Sequence, residues 1–373
     1  MGYFLTAAIV SFLVVMYLVA APSRNISGDG QSKASQWGLD SQLAGPQKFH
    51  TQPVPRVGGI AIFGAIAICS LAAWWFDTPQ MHGLALLTFC GIPALAFGLA
   101  EDLTGSITPR ARLIATAVSA ILAIFVADSF IDRVDVPGID NLLVFSVFSV
   151  PLTVFAVAGV ANSINIIDGF NGLSSMVAMM IFGAIAYVAH QTDDQFITVA
   201  SLTCIGALLG FFVWNYPLGL IFLGDGGAYF VGFMVAELSI LLFHRNDDVS
   251  PWFSVLVLAY PITETFFSIY RKKIVRGMSP GQPDRSHLHM LIYSRLLAQP
   301  LGQPPAKAKL ARNSRTSPYL WILSIASILP ALVFWRDASV LFTLLVIFVI
   351  CYVWLYKRII QFKTPRWLIS RKI

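Results

Sequence analysis

Gly2-Tyr-Phe-Leu-Thr-Ala-Ala-Ile-Val-Ser-Phe-Leu-Val-Val-Met-Tyr-Leu-Val-Ala-Ala21 runs for 20 residues without a charged side chain. A helix of that length spans about 30 Å, the thickness of a bilayer's hydrocarbon core. No basic segment precedes the run and no convincing small-residue cleavage site ends it, so it reads as a retained first span rather than a signal peptide. Similar apolar segments lie near 2–21, 57–76, 82–100, 110–127, 142–160, 173–190, 196–214, 227–243, 251–270, 318–334 and 339–356. Eleven spans of about 20 residues use roughly 220 residues, which suits a chain of 373. The expected fold is an all-α, polytopic membrane bundle of about eleven helices, forming a single domain over 1–373.

Composition points the same way. The chain is 57% hydrophobic and only 12% charged, with a mean hydropathy of +0.72, whereas soluble domains carry about 25% charged residues. A disordered chain and a soluble enzyme are excluded. So is a nucleic-acid binder, despite the net charge of +6. Cys69, Cys90, Cys204 and Cys351 sit inside apolar runs without CxxC spacing and read as small hydrophobes in helices.

Orientation follows from the basic residues. With the amino terminus outside, the loops 22–56, 101–112, 161–172, 215–226 and 271–317 and the tail from 357 face the cytoplasm and hold 22 of the 25 Lys and Arg residues. The opposite loops keep only Arg133, Arg245 and Arg336, and carry acids such as Asp132, Asp135, Asp193, Asp194, Asp247 and Asp248. The cluster Arg271, Lys272, Lys273 and Arg276 reads equally well as an orienting signal that touches anionic lipid.

The unusual polar groups then fall on that one side. Gln52-Pro-Val-Pro-Arg56-Val-Gly-Gly59 opens the second span, and Glu101-Asp102 follows the third. Asn162, Asn165 and Asp168 precede Gly169-Phe-Asn171-Gly172; Asn215 and Gly224-Asp225-Gly-Gly227 lie between the seventh and eighth spans; Arg285-Ser-His287-Leu-His289 sits in the basic loop. Ionisable groups are expensive within a bilayer and mark function or span ends. Structural accidents would have scattered over both faces, so a single cytoplasmic site is the better reading.

Each cluster also has a plainer explanation. Glu101 and Asp102 are poor C-caps against the negative helix end and make more sense beside a cation, although a solvated helix end would also carry them. The i, i+3, i+6 spacing of Asn162, Asn165 and Asp168 puts them on one helical stripe, suited either to a ligand or to an inter-helix hydrogen-bond patch. Asp225 can be an N-cap, or a Mg²⁺ ligand beside phosphate at a helix start. His287 and His289 do not share a helix face and lack a third zinc-type ligand, so phosphate contacts with Arg285 are preferred. Hard oxygens, basic side chains and glycine turns in a membrane together suggest Mg²⁺-assisted phosphoryl transfer onto a lipid. A multispan transporter of an anionic solute is the alternative, but transporters place their sites near the midplane within related halves, and no repeat is evident.

The motif order resembles the polyprenyl-phosphate N-acetylhexosamine-1-phosphate transferases, most closely the bacterial type that uses undecaprenyl phosphate and UDP-N-acetylglucosamine. The resemblance rests on His50-Thr-Gln-Pro-Val-Pro-Arg-Val-Gly-Gly59; Gly98-Leu-Ala-Glu101-Asp102 with Pro109-Arg110-Ala-Arg112; Asn162 through Asn171-Gly-Leu; Phe222-Leu-Gly-Asp225-Gly-Gly; and Pro261-Ile-Thr-Glu264 leading to Pro283 through His289.

The resemblance implies transfer of a sugar 1-phosphate from a UDP-N-acetylhexosamine to undecaprenyl phosphate with release of UMP, at the start of O-antigen or another cell-surface glycan. It implies a bacterial inner membrane, an active site on the cytoplasmic face, and Mg²⁺ (Mn²⁺ as the substitute) held by Asp225. Glu101, Asp102 and Asp168 become the catalytic set. Arg56, Asn162, Asn165, Asn171, Asn215, Arg285, His287 and His289 become substrate contacts. A homodimer is left open. Glu101 stands where the family usually has aspartate, Asn171 where aspartate is usual, and Met290 where a third histidine is common. The lysine-containing acidic motif and fuller histidine cluster of the phospho-MurNAc-pentapeptide translocases are absent.

Overall fold

The computed structural model describes residues 1–24, 39–40, 54–76, 78, 82–279, 286–297 and 304–363. Helix α1 (Gly2–Arg24) is followed by two short antiparallel strands, β1 (Leu39–Asp40) and β2 (Val54–Pro55), then α2 (Gly58–Trp75), α3 (His82–Cys90), α4 (Ile92–Thr104) and α5 (Pro109–Ala127). A five-residue α6 (Ile139–Leu143) leads into α7 (Ser146–Ile167), α8 (Leu173–Gln191), α9 (Gln195–Asn215) and α10 (Gly224–Arg245). After α11 (Pro251–Val257) and α12 (Ala259–Tyr270) come the one-turn α13 (Leu288–Leu291), α14 (Pro305–Phe334) and α15 (Ala338–Ile360).

Among the described residues nine helices are long and apolar enough to cross a membrane, or up to eleven when two bent pairs each count as one span. The pairs are α3 with α4, bent by 43°, and α11 with α12, bent by 72°. Each bend has a local cause. Pro93 sits in the first turn of α4 and Pro261 in the first turn of α12, and a proline cannot donate the backbone bond that would join its turn to the preceding helix. The protein is a multi-pass, all-α membrane protein.

Helix α10 is the axis. Its residues are buried from Gly224 to Phe243, as expected of a helix that is apolar all round. Helices α2, α4, α7 and α8 surround it, while α1 and α15 are mostly lipid-facing. Helix α1 lies along α9, where a Cβ on Gly206 or Gly210 would come within 2.2 Å of Phe4 O or 2.3 Å of Ala8 O. That Gly-x-x-x-Gly seam lets two backbones touch where lipid offers no hydrophobic drive to association.

Several expected loops are partly helical. Residues 161–167 continue α7, 109–112 begin α5, and 305–317 belong to α14, which starts 13 residues before the expected span at 318. The segment 271–275 extends α12 as a π-turn. Hydropathy locates the apolar part of a helix, but helical geometry continues through good helix formers such as Ala306, Lys307, Ala308 and Lys309 once they leave lipid. Cys69, Cys90 and Cys204 are free and buried, and Cys351 is free and exposed.

The end of the bundle opposite the polar clusters is stapled by Arg133. Its guanidinium donates to the carbonyls of Phe243 at 3.0 Å and Val249 at 2.8 Å and to the Asp135 carboxylate at 2.8 Å, tying a carbonyl left over in the last turn of α10 to the loop that follows it.

Candidate active site

The site is built around the start of α10. Phe222 N donates to Pro55 O at 2.8 Å, and Gly58 N and Gly59 N donate to Phe222 O and Leu223 O, each at 3.0 Å. The chain just before α2 is thereby fixed against the chain just before α10. Gly224 has a φ of +76°, which glycine adopts without strain. A Cβ on Gly98 would lie 2.6 Å from Gly226 Cα, and one on Gly59 would lie 2.4 Å from Gly227 N. The glycine string therefore lets α2 and α4 press their backbones onto α10. In the folded protein these glycines serve helix packing.

Asp102, its side chain 1% exposed, reaches across to this start. Its Oδ1 accepts from Asp225 N and its Oδ2 from Gly226 N, both at 2.9 Å. A carboxylate on two orphan amides is a helix cap delivered from another helix. Asp225 is thus not the N-cap, and its own carboxylate is released for other partners. Asn165 Nδ2 donates to Asp225 Oδ1 at 2.9 Å. Arg56 Nη2 stands 3.5 Å from the same oxygen and 3.4 Å from Asp102 Oδ1. Arg112 Nη1 pairs with Asp225 Oδ2, and its guanidinium lies 5.7 Å from the centroid of the Tyr229 ring. The stripe on α7 continues the contact, since Tyr229 donates its hydroxyl to Asn162 Oδ1 at 3.2 Å. Asp168 follows the helix end and accepts from the Ser174 hydroxyl. Burial pushes the Asp168 carboxyl up to about 6, even though Ser174 and the Arg56 guanidinium pull it back.

Glu101 turns away. Its Oε2 accepts from Ile107 N at 2.6 Å, closing the turn between α4 and α5. Neighbours in a helix project about 100° apart, so two adjacent acids cannot both face α10.

Asn171 and Asn215 are also committed elsewhere. Asn215 Oδ1 accepts from Gly172 N at 2.6 Å, while its Nδ2 donates to Ile221 O at 2.7 Å. Asn171 Nδ2 donates to Pro217 O at 3.0 Å, its N–H donates to Asn313 Oδ1 at 2.9 Å, and Ser317 donates to its carbonyl at 2.6 Å. Both are buried. They clasp the turns 169–172 and 216–221 together beneath α14.

His287 and His289 stack at 5.3 Å with their planes 1° apart. A Cβ on Gly169 would come within 3.2 Å of His289 Nε2, so the histidines adjoin the Asp168 turn. His287 Nδ1 is 2.9 Å from Glu264 Oε1. Arg285 lies outside the described residues, as do His50 and Gln52. The structure thus gathers Arg56, Asp102, Asn165 and Asp225 through direct contacts. It joins Asn162 to them through Tyr229 and Arg112. Arg112, Tyr229 and Glu264 received no role from the sequence; a basic residue in the first turn of a span, as at Pro109-Arg-Ala-Arg112, is the signal that could have flagged the first.

This arrangement can hold a phosphate-bearing ligand. Two guanidiniums face two carboxylates at a helix start, where anions are favoured. Among the described residues no three His, Cys, Asp or Glu side chains converge as a metal centre. A Mg²⁺ ion needs only one or two carboxylates when waters and substrate phosphates complete its shell. Asp225 supplies one such carboxylate, but its oxygens face Arg56, Arg112 and Asn165, contacts that an ion would have to replace.

The sequence profile of glycosyl transferase family 4 matches residues 84–243. The chain is 31% identical over 253 residues to the undecaprenyl-phosphate alpha-N-acetylglucosaminyl 1-phosphate transferase of Pasteurella multocida, covering 66% of this chain and 69% of that protein. This chain belongs to glycosyl transferase family 4. It is 28% identical over 244 residues to a probable undecaprenyl-phosphate N-acetylglucosaminyl 1-phosphate transferase of Bacillus subtilis, covering 65% of this chain and 66% of that one. It is 25% identical over 297 residues to the phospho-N-acetylmuramoyl-pentapeptide-transferase of Streptococcus pyogenes, covering 74% of this chain and 83% of that one. In the first two comparisons the chain spans about two thirds of the relative's length. The family 4 profile takes in Asp102, Arg112, Asn162, Asn165, Asp168, Asn215 and Asp225, while Arg56, Glu264, His287 and His289 lie outside its limits.

Proposed function

We propose that this chain transfers a sugar 1-phosphate from a UDP-N-acetylhexosamine to undecaprenyl phosphate, giving undecaprenyl-diphospho-sugar and UMP, as the first step of a cell-surface glycan. The observation that carries the proposal is the charge cluster at the start of α10, where Arg56 and Arg112 converge on Asp225 and Asp102 presses on the helix amides. The cluster sits at one end of a membrane bundle, where a lipid headgroup and a soluble nucleotide can meet. The Lys and Arg bias of the loops supports a cytoplasmic location for that end, and the family resemblance supports a bacterial inner membrane.

A phosphate oxygen of the lipid forms the new P–O bond to the sugar-bearing phosphorus. The bond from that phosphorus to the oxygen bridging it to the UMP phosphorus breaks, and UMP leaves with the electron pair. The lipid phosphate is already largely dianionic near pH 7, its second pKa being about 6, so removing a proton supplies little of the barrier. Bringing anion onto anion is the harder problem. Arg56 and Arg112 offset that repulsion by exchanging their carboxylate contacts for phosphate oxygens, while Asp102 keeps the helix start rigid. Asp225 would hold Mg²⁺, which would supply further charge neutralisation when bound. Asn162 and Asn165 present amides along one stripe to the donor, and His287 and His289 approach it from the Asp168 side.

The test is UMP release by detergent-purified protein from a panel of UDP-sugars, with and without polyprenyl phosphate and Mg²⁺. Release that requires both, with one N-acetylhexosamine preferred, is the expected result. UMP release indifferent to lipid phosphate, or none with any donor, overturns the proposal. A transporter of anionic solutes would give none.

A further inference from the structure

Tyr229 stands one turn after Asp225 on α10, at the spacing that puts two side chains on one helix face. It is 1% exposed and clusters with Ala94 of α4 and Ala161 of α7, with Leu113 of α5 packed against them. The two alanines leave room for an aromatic ring among these helices. The Tyr229 hydroxyl donates to Asn162 Oδ1 at 3.2 Å, so the ring is held at its polar end as well as by packing. For packing alone a leucine would be simpler, since a buried hydroxyl must find a partner and leucine has none to find.

What the ring adds is a surface for a cation. The Arg112 guanidinium lies 5.7 Å from the ring centroid, and Nη1 pairs with Asp225 Oδ2. Arg112 Nε is buried and meets no hydrogen-bond acceptor among the described residues. The side chain is 12% exposed, against 33% for Arg56. A guanidinium this deep, held to one carboxylate through one nitrogen, is under-satisfied. The negative face of an aromatic ring compensates part of that deficit, and its attraction for a cation strengthens as water is excluded.

The choice of a ring over a second carboxylate matters for an anionic substrate. Another acid beside Arg112 would fix the guanidinium in place and repel an incoming phosphate. A π face does neither. It attracts the cation without demanding one donor direction, so the contact persists while the guanidinium turns. When a phosphate oxygen replaces Asp225 as the partner of Nη1, the charge stays at the start of α10.

We propose that Tyr229 is a positioning residue for phosphate binding: its ring is the surface on which Arg112 turns from the Asp225 carboxylate to a substrate phosphate oxygen, and Asn162 holds that ring through its hydroxyl. This rests on the transferase reading above. Tyr229 itself touches no substrate.

Tyr229→Leu keeps a large apolar side chain and removes the π face; Tyr229→Phe keeps the ring and removes the hydroxyl. UMP release at saturating substrate should fall about tenfold in Tyr229→Leu, the worth of a desolvated cation–π contact. Tyr229→Phe should stay within about threefold of wild type, the loss of one neutral hydrogen bond. The deciding measurement is Tyr229→Leu in an Arg112→Gln background. There it should slow the enzyme by less than about twofold, because the interaction it removes is already gone. As a check that leaves shape and packing nearly unchanged, Tyr229 is replaced by phenylalanine carrying one, two or three ring fluorines. These drain the negative face stepwise, and the rate should fall stepwise with them. Equal slowing by Tyr229→Leu in both Arg112 backgrounds is the mark of a ring that only packs, and overturns the proposal. So does a rate indifferent to fluorination, or a Tyr229→Phe variant as slow as Tyr229→Leu. Those outcomes put only the proposal at stake, since wild type is active in each; a wild type that releases no UMP from any UDP-sugar overturns the transferase reading on which it rests.

Discussion

The carboxylate of Asp102 caps the helix that begins at Asp225. It accepts Asp225 N and Gly226 N at 2.9 Å each, so an acid on α4 does the work usually done by a residue of the capped helix itself. The Asp225 side chain is then free to face Arg56, Arg112 and Asn165. Capping and ligand-facing roles, which the sequence left as alternatives for Asp225, are divided between the two residues.

Asp225→Asn should therefore leave the helix start intact. Asparagine preserves the shape and an acceptor for Arg112 or Arg56, but it removes the charge on which the guanidiniums converge. Folded yield and thermal midpoint are expected near wild type, with UMP release lower by about 10²–10³-fold, the usual range for deleting one electrostatic contributor. Near-normal turnover would remove Asp225 from the chemistry.

Glu101 and Asp102 should behave differently despite their adjacency. Glu101→Gln retains an oxygen for Ile107 N and is expected to keep most activity. Asp102→Asn retains one acceptor where two amides need one each, and should lower stability by about 1–2 kcal/mol as well as lowering turnover. Comparing thermal midpoints and rates of the two variants checks this. A metal or phosphate role for Glu101 would instead make Glu101→Gln as inactive as the Asp102 variant.

Asp168 predicts a pH dependence. Its carboxyl is raised by burial from 3.8 to about 6 in the folded protein. The folded state therefore binds this proton more tightly than the unfolded one, and the associated stability is present below about pH 4 and lost as pH rises through about 6. Asp168→Asn should flatten that region of the profile when thermal midpoints are followed across the same range. If the ionised form is required for turnover, wild-type kcat should fall below about pH 6, with Asp168→Asn inactive throughout.

Gly98→Ala should push α4 away from α10. The added Cβ would stand 2.6 Å from Gly226 Cα, and backbone cannot yield as a flexible side chain can. Overpacking of this kind costs about 1–3 kcal/mol and would draw Asp102 away from its two amides. Activity is expected to fall more than stability. Gly64→Ala, on a helix face where an added Cβ meets nothing within 4 Å, is the control and should be near wild type in both.

The class of molecule, the approximate spans and the grouping of polar motifs were legible in the linear chain. Those follow from hydropathy and loop charge, which each residue carries regardless of its partners. The motif order of the family was legible there too. Which atom meets which was settled by the packing of the helices. Asn162 and Asn165 share the stripe that the i, i+3 spacing implied, and Asn165 does reach Asp225. Asn171 and Asn215, which look equally suited to a ligand in the linear chain, are consumed by the backbone of facing turns. Glu101 and Asp102 are separated by the rotation of a single helical residue. Arg112 meets Asp225 because glycines let α4, α5 and α10 pack at a particular depth and crossing. Composition measures how much a residue prefers lipid or water; its hydrogen-bond partner depends on helix phase and crossing, and those are fixed only when the packed backbones bring distant segments into hydrogen-bonding range.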